Sequence, residues 1–152
     1  MVRRAVGLGG VVVLVAAFVG LFGCASAPPE APPSVYKQLG GHEGISQIVD
    51  DFVANVVADN RINQRFKALP PAQVFKLKSY VADQICDATG GPCSYVGRDM
   101  KTTHRGMKIT EGEWNATVEA LVKALDKNNV AAGAKSALLG TLGSMKPDIV
   151  GQ

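Results

Sequence analysis

Ile45-Ser46-Gln47-Ile48-Val49-Asp50-Asp51-Phe52-Val53-Ala54-Asn55-Val56-Val57 is the stretch from which the fold class is read. Ile45, Ile48, Val49, Phe52, Val53, Val56 and Val57 recur at spacings of three and four. On a 3.6-residue turn that gathers them into one broad apolar stripe over about four turns. The period-two alternation of a half-buried strand is missing here, and long alternating runs are missing from the rest of the chain. The stretch therefore reads as an amphipathic helix, and the domain around it as all-α.

Moving toward the C-terminus, Asp59-Asn60 ends this helix and residues 61–66 suit a short helical turn. Pro70-Pro71 opens the next helix, because a proline at the first position loses no bond that the helix would have made. Val74, Leu77, Val81 and Ile85 share one face of it, and Gly90-Gly91-Pro92 stops it. Residues 90–99 read as loop, followed by a short helix over 99–105 ended by Gly106. Thr110-Glu111-Gly112-Glu113 has the spacing of a capping box, with Thr110 as cap and Glu113 reaching back. The stripe that follows is Trp114, Thr117, Val118, Leu121, Val122 and Leu125. A last helix is expected over about 131–149, with Leu138, Leu139, Leu142 and Met145 inward. Nothing repeats at a fixed period.

Toward the N-terminus the character changes. Residues 1–23, MVRRAVGLGGVVVLVAAFVGLFG, hold sixteen apolar side chains, no acid, and Arg3 and Arg4 at the front. This is the layout of a secretory signal. Its apolar part is short for a membrane span and rich in glycine. Leu21-Phe22-Gly23-Cys24 resembles the bacterial lipobox, which implies cleavage before Cys24 and lipidation of that cysteine. An ordinary signal peptide cut near Ala25 or Ala27, or an uncleaved anchor, are the alternatives. Buried acyl chains hold a protein to a bilayer at ~0.8 kcal/mol per methylene. Residues 24–34 form a tether, since the four prolines between Ala25 and Ser34 exclude a helix and favour an extended spacer. Residue 25 is not Asp, so the expected location is the periplasmic side of the envelope, lipid-anchored, with the outer membrane favoured.

Composition then falls into place. The 152-residue chain is 47% hydrophobic and 19% charged, with a formal net charge of +3. Residues 1–23 carry two of the 16 basic side chains and none of the 13 acidic ones, so the remainder is nearly neutral at +1. No basic stripe stands out, which excludes nucleic acid as an expected partner. A monomer is expected. Three cysteines are too few for a disulfide scaffold. Cys86 and Cys93 flank the Gly90-Gly91-Pro92 turn. In an oxidising compartment they can pair across it; the alternative is one buried and one exposed thiol.

Three ordered segments carry a family resemblance: Tyr36-Lys37-Gln38-Leu39-Gly40-Gly41-His42-Glu43-Gly44-Ile45; Gly90-Gly91-Pro92 followed by Tyr95, Gly97, Met100 and Lys101; and Thr103-His104-Arg105-Gly106-Met107-Lys108-Ile109-Thr110. Over about residues 35–150 the chain resembles the group 1 truncated haemoglobins. The resemblance implies a globin domain over 35–152, a two-over-two helical sandwich, and haem b as cofactor. The chain has two histidines. His42, at a helix start after two glycines, reads as a local cap or packing residue. A lone histidine is most often structural, but the resemblance assigns His104 to the iron. Imidazole is a standard haem ligand whose other nitrogen needs an orienting acceptor.

The resemblance also implies a set of cofactor-lining positions. Phe66 matches the aromatic residue that stacks on the porphyrin, and Phe52 precedes Val53, which stands where many group 1 members have a tyrosine. Leu77 and Val81 fall over the iron, the second where many relatives have glutamine. Met100, Thr103, Ile109 and Trp114 complete the set. Tyr80 and Gln84 are the polar residues near enough to rescue the distal side, against the alternative that both are surface residues. Lys78 and Lys101 are either propionate partners or solvated lysines. A distal pocket so poor in donors implies faster oxygen release and easier oxidation than in tyrosine-containing relatives. The implied functions are binding of diatomic gases (O2, CO, NO) at the envelope, or a haem-dependent nitric-oxide dioxygenase or peroxidase. A haem-free helical lipoprotein adaptor is the remote alternative. With no flavin or nicotinamide motif in the chain, a reductase for the iron must be a separate partner.

Overall fold

The computed structural model describes residues 31–152. The signal segment 1–23, Cys24 and the first part of the tether lie outside the described residues. Six α-helices follow in order: α1 (Val35–Gln38), α2 (Gly41–Ala58), α3 (Pro71–Ala88), α4 (Met100–His104), α5 (Glu111–Lys127) and α6 (Ala132–Gly143). Short 3-10 turns occur at Asn63–Arg65 and Lys146–Asp148. Among the described residues the only β pairing is an isolated parallel bridge between Ile109 and Val150. None of their helices is long and apolar enough to cross a membrane.

Helix α2 is the hub and packs extensively against both α3 and α5. Ile45, Ile48, Val49, Val53 and Val56 are buried on it, and they join Ile85, Cys86, Leu121, Leu125 and Leu138 in the core. Val57 departs from the expected stripe and is 41% exposed. Twelve residues after Ile45, a 3.6-residue turn has rotated it about 120° from that residue, past the edge of the buried face. The face that α5 buries most completely is Ala116, Ala120 and Ala124, with Leu121 and Leu125 beside them. These small side chains let α2 and α5 approach closely, and Asn55 Nδ2 donates across the contact to the Ala120 carbonyl at 3.0 Å. At the far end, Lys127 and Asn128 both donate to the Asp51 carboxylate, at 2.6 and 2.8 Å.

The helix ends follow local chemistry. Gly40 and Gly41 both have positive φ (87° and 68°), the left-handed conformation that glycine adopts without Cβ strain. That pair turns the chain from α1 into α2. Cys86 and Cys93 are disulfide-bonded across the Gly90-Gly91-Pro92 turn. A side chain at Gly91 would meet Cys86 Sγ and the Tyr36 ring at 2.6 Å, so glycine is needed there for space. Thr110 caps α5 in a capping box: Thr110 Oγ1 accepts from Glu113 N–H, and Glu113 Oε2 accepts from Thr110 N–H at 2.8 Å. These bonds to its charged form lower the Glu113 pKa. The last helix is shorter than the periodicity suggests. It ends at Gly143, and the chain tightens into the 3-10 turn containing Pro147. A proline there disfavours helical backbone before it and supplies no N–H.

Replacing Thr110 by alanine removes the cap of α5 and is expected to lower stability by about 1 kcal/mol, measured by urea denaturation. A second expectation concerns pH. Arg61 bonds the Asp59 carboxylate at 2.6 Å and bridges it to Glu119 on α5, also at 2.6 Å. Those bonds depress the Asp59 pKa from 3.8 to about 2. A depressed carboxylate stabilises the fold above its unfolded pKa, and that stabilisation is lost as pH falls through the folded value. The difference in urea midpoint between wild type and Asp59→Asn is therefore expected to be constant above about pH 5 and to close between about pH 4 and pH 2.

Candidate functional site

His104 lies at the C-terminal end of α4, a five-residue helix capped by Asp99, whose Oδ1 accepts from Thr102 N–H at 2.8 Å. One turn before His104, the Met100 carbonyl sits 2.8 Å from His104 Nδ1. A carbonyl only accepts, so Nδ1 carries the proton and Nε2 keeps its lone pair. No hydrogen bond among the described residues engages Nε2. A half-buried imidazole held by a backbone acceptor, with its other nitrogen free, is the arrangement of a histidine prepared to ligate a metal.

Helices α3 and α5 carry apolar faces that the protein covers only in part. On α3 the stripe Val74, Leu77, Val81 and Ile85 is fully buried only at Ile85; the other three are half-covered. On α5 the same change runs along one face. Leu121 and Leu125 are buried, whereas Trp114, Thr117 and Val118, earlier in the helix, are half-covered. Thus both helices bury one end of an apolar stripe completely and leave the other end partly exposed to solvent. Helix α3 packs extensively on α2 but on none of α4, α5 and α6. Large apolar side chains that the protein covers only partly are what a flat apolar group needs in order to bind.

The other expected lining residues separate into groups. Phe52 is half-buried and touches both hydrophobic clusters, and Phe66 packs with Val56, Ile62, Ala116 and Ala120. Val53 is only 5% exposed and lies within the main core beside α3 and α5. Met100, Thr103, Ile109 and Trp114 are half-buried; the Thr103 hydroxyl donates to the Arg98 carbonyl at 3.3 Å. Tyr80 packs edge-on against Tyr95, with ring centroids 6.4 Å apart, and Lys76 Nζ lies 5.5 Å from the Tyr80 ring centre. Burial, and then proximity to Tyr80, raise the Tyr95 pKa. Gln84 Nε2 donates to Met145 Sδ at 3.4 Å, across to the segment following α6.

Lys78 is neither of the two alternatives expected of it: its Nζ pairs with Asp50 on α2 at 2.9 Å. Lys101 is exposed, with no ion pair among the described residues. His42 is also exposed, and its backbone N–H donates to the Tyr36 hydroxyl at 3.0 Å. Its ring lies with Asp83 and Cys93 in a group whose donor atoms fall within 4.8 Å of one another. The Cys93 sulfur is committed to Cys86, so only two donors remain there.

The sequence reading missed the residues that hold the segment after α4. Arg65 Nη2 donates to the Met107 carbonyl at 2.8 Å and to Glu113 at 3.2 Å. Gly151 N–H donates to the Ile109 carbonyl at 2.9 Å. These partners are separated by some forty residues of chain, and no local pattern signals them.

The bacterial-like globin family model matches residues 34–150. The group 1 truncated haemoglobin of Mycolicibacterium paratuberculosis is 30% identical over 118 residues, spanning 78% of this chain and 85% of the relative. That of Tetrahymena pyriformis is 26% identical, over 80% of this chain and 98% of its own. Among solved structures, the 2/2 haemoglobin of Synechococcus sp. PCC 7002 superposes with a TM-score of 0.71 at 27% identity, covering 79% of this chain and all of that one. The truncated haemoglobin of Tetrahymena pyriformis reaches 0.73 at 24% identity with the same coverage, a likeness of fold.

Proposed function

Because this chain belongs to the bacterial-like globin family, we propose that it binds haem b in the cleft bounded by α3, α4 and α5, with His104 as the axial ligand. The observation that carries this reading is His104 Nδ1–H donating to the Met100 carbonyl, with no hydrogen bond among the described residues at Nε2. When bound, the cofactor would supply an iron able to take a diatomic gas such as O2, CO or NO. The rest of the chemistry belongs to the chain. Met100 fixes the rotation of the imidazole and keeps its Nδ1 protonated, so Nε2 is the nitrogen presented. Phe52, Phe66, Leu77, Val81, Ile109 and Trp114 supply apolar contact that displaces water from around the cofactor.

The distal side is supplied by Leu77 and Val81, neither of which has a donor. Of the nearest polar alternatives, Gln84 Nε2 donates to Met145 Sδ, and Tyr80 packs its ring edge-on against Tyr95. A ligand bound there gains no hydrogen bond from Leu77 or Val81, which favours fast release of the more polar oxygen over retention. Reversible gas binding therefore suits the site better than chemistry that requires a long-lived oxygen complex. The cell-envelope placement rests on residues 1–34: we propose that Cys24 carries the lipid and that the proline-rich tether holds the globin domain off the membrane.

One absorption spectrum tests the haem assignment. Full-length protein produced with haem available is expected to show a Soret band that shifts on reduction and on addition of CO. His104→Ala is expected to abolish the CO-induced shift or to bind haem at least tenfold more weakly. His42→Ala should leave the spectrum unchanged; the reverse result would move the ligand to His42. The donor-poor distal side is tested at Val81, which is half-buried. Val81→Gln brings an amide donor to the ligand and is expected to slow oxygen dissociation by up to about tenfold in stopped flow. An unchanged rate would show that wild type already has a donor.

A further inference from the structure

The helix bearing His104 is only five residues long. A helix of that length has little stability of its own. Its one extensive packing partner among the helical elements is the C-terminal 3-10 turn, Lys146–Asp148. The segment after it, 105–109, is also unfavourable in isolation. Gly106 and Lys108 both have positive φ, 78° and 51°, and at Lys108 a β-carbon must be accommodated there. What holds this segment is the end of the chain. Gly151 N–H donates to the Ile109 carbonyl at 2.9 Å, Lys108 N–H donates to the Gln152 carbonyl, and Ile109 and Val150 form the parallel bridge. Lys146 Nζ pairs with Glu111, in the first turn of α5, at 2.6 Å. On the other side, Arg65 donates to the Met107 carbonyl.

We propose that residues 146–152 are a positioning strap for His104. The Met100 carbonyl sets the rotation of the imidazole, and the strap sets where α4 stands relative to the apolar walls of α3 and α5. This rests on the haem-binding reading for its functional meaning, but the mechanical claim does not require the cofactor. The positioning residues are Val150, Gly151 and Gln152, acting through the backbone of Lys108 and Ile109. None of them touches the reacting centre.

The test compares wild type with a chain ending after Ile149. Hydrogen exchange is measured first, without haem. Amides 104–109 are expected to exchange about tenfold faster or more in the shortened chain, the effect of losing roughly one backbone hydrogen bond, with the α2 core amides unchanged. In the haem-loaded ferrous proteins, the iron–histidine stretching band is expected to shift or broaden, and haem transfer to an acceptor globin to accelerate. A uniform rise in exchange across α2 and 104–109 would overturn the proposal, because it would mean general destabilisation. Unchanged exchange at 104–109 with an unchanged iron–histidine band would also overturn it. If the shortened chain does not fold, deleting Gln152 alone removes the acceptor of Lys108 N–H and the bond from Gln152 Nε2 to the Pro147 carbonyl, and should produce the same changes on a smaller scale; no change there would equally overturn the strap. Failure of full-length protein to take up haem would overturn the haem reading alone, with the exchange comparison still deciding the strap.

Discussion

Everything in this domain depends on burying the apolar face of α2 on two sides at once. Its stripe is wide enough for α3 to pack along one edge and α5 along the other, and the alanines of α5 let the second contact close tightly. With α3 and α5 both fixed to α2, the angle between them is set. Their apolar faces are buried at Ile85, Leu121 and Leu125, and remain partly uncovered at Val74, Leu77, Val81, Trp114, Thr117 and Val118. Those half-covered stripes are a consequence of how two helices share a third.

That geometry also explains why α4 can be so short. It does not have to build core, and none of its five residues is fully buried. The cost of ordering five residues and a strained connection is met by a few hydrogen bonds from Arg65 and from residues 150–152. This division separates the packed scaffold from the segment that carries His104. It also puts the position of the histidine under the control of contacts far away in sequence.

The donor-poor walls follow from side chains rather than from the fold. Val53 and Val81 occupy positions where the resemblance to group 1 truncated haemoglobins implies that many relatives have polar groups, and Leu77 is a third apolar position expected on that side. Among these three, the structure leaves Val81 half-buried and encloses Val53 in the filled core. Of the two polar residues nearby, Gln84 donates to Met145 and Tyr80 packs its ring against Tyr95.

The local sequence was sufficient for helices, caps and breaks, because spacing, capping chemistry and glycine or proline stops act over a few residues. The stripe from Ile45, the Thr110–Glu113 box and the Gly90-Gly91-Pro92 stop are all legible in this way. Periodicity was less able to rank the buried positions. It placed Val57 inward where twelve residues of helical rotation carry it out, and it could not show that alanines, not Trp114, face α2. It also extended the last helix through Pro147. Motif order named His104, but only the tertiary structure paired Lys78 with Asp50 and joined residues 108 and 109 to residues 150–152. Those outcomes depend on which surfaces meet when the helices pack, and residues far apart in sequence carry no local mark of that meeting.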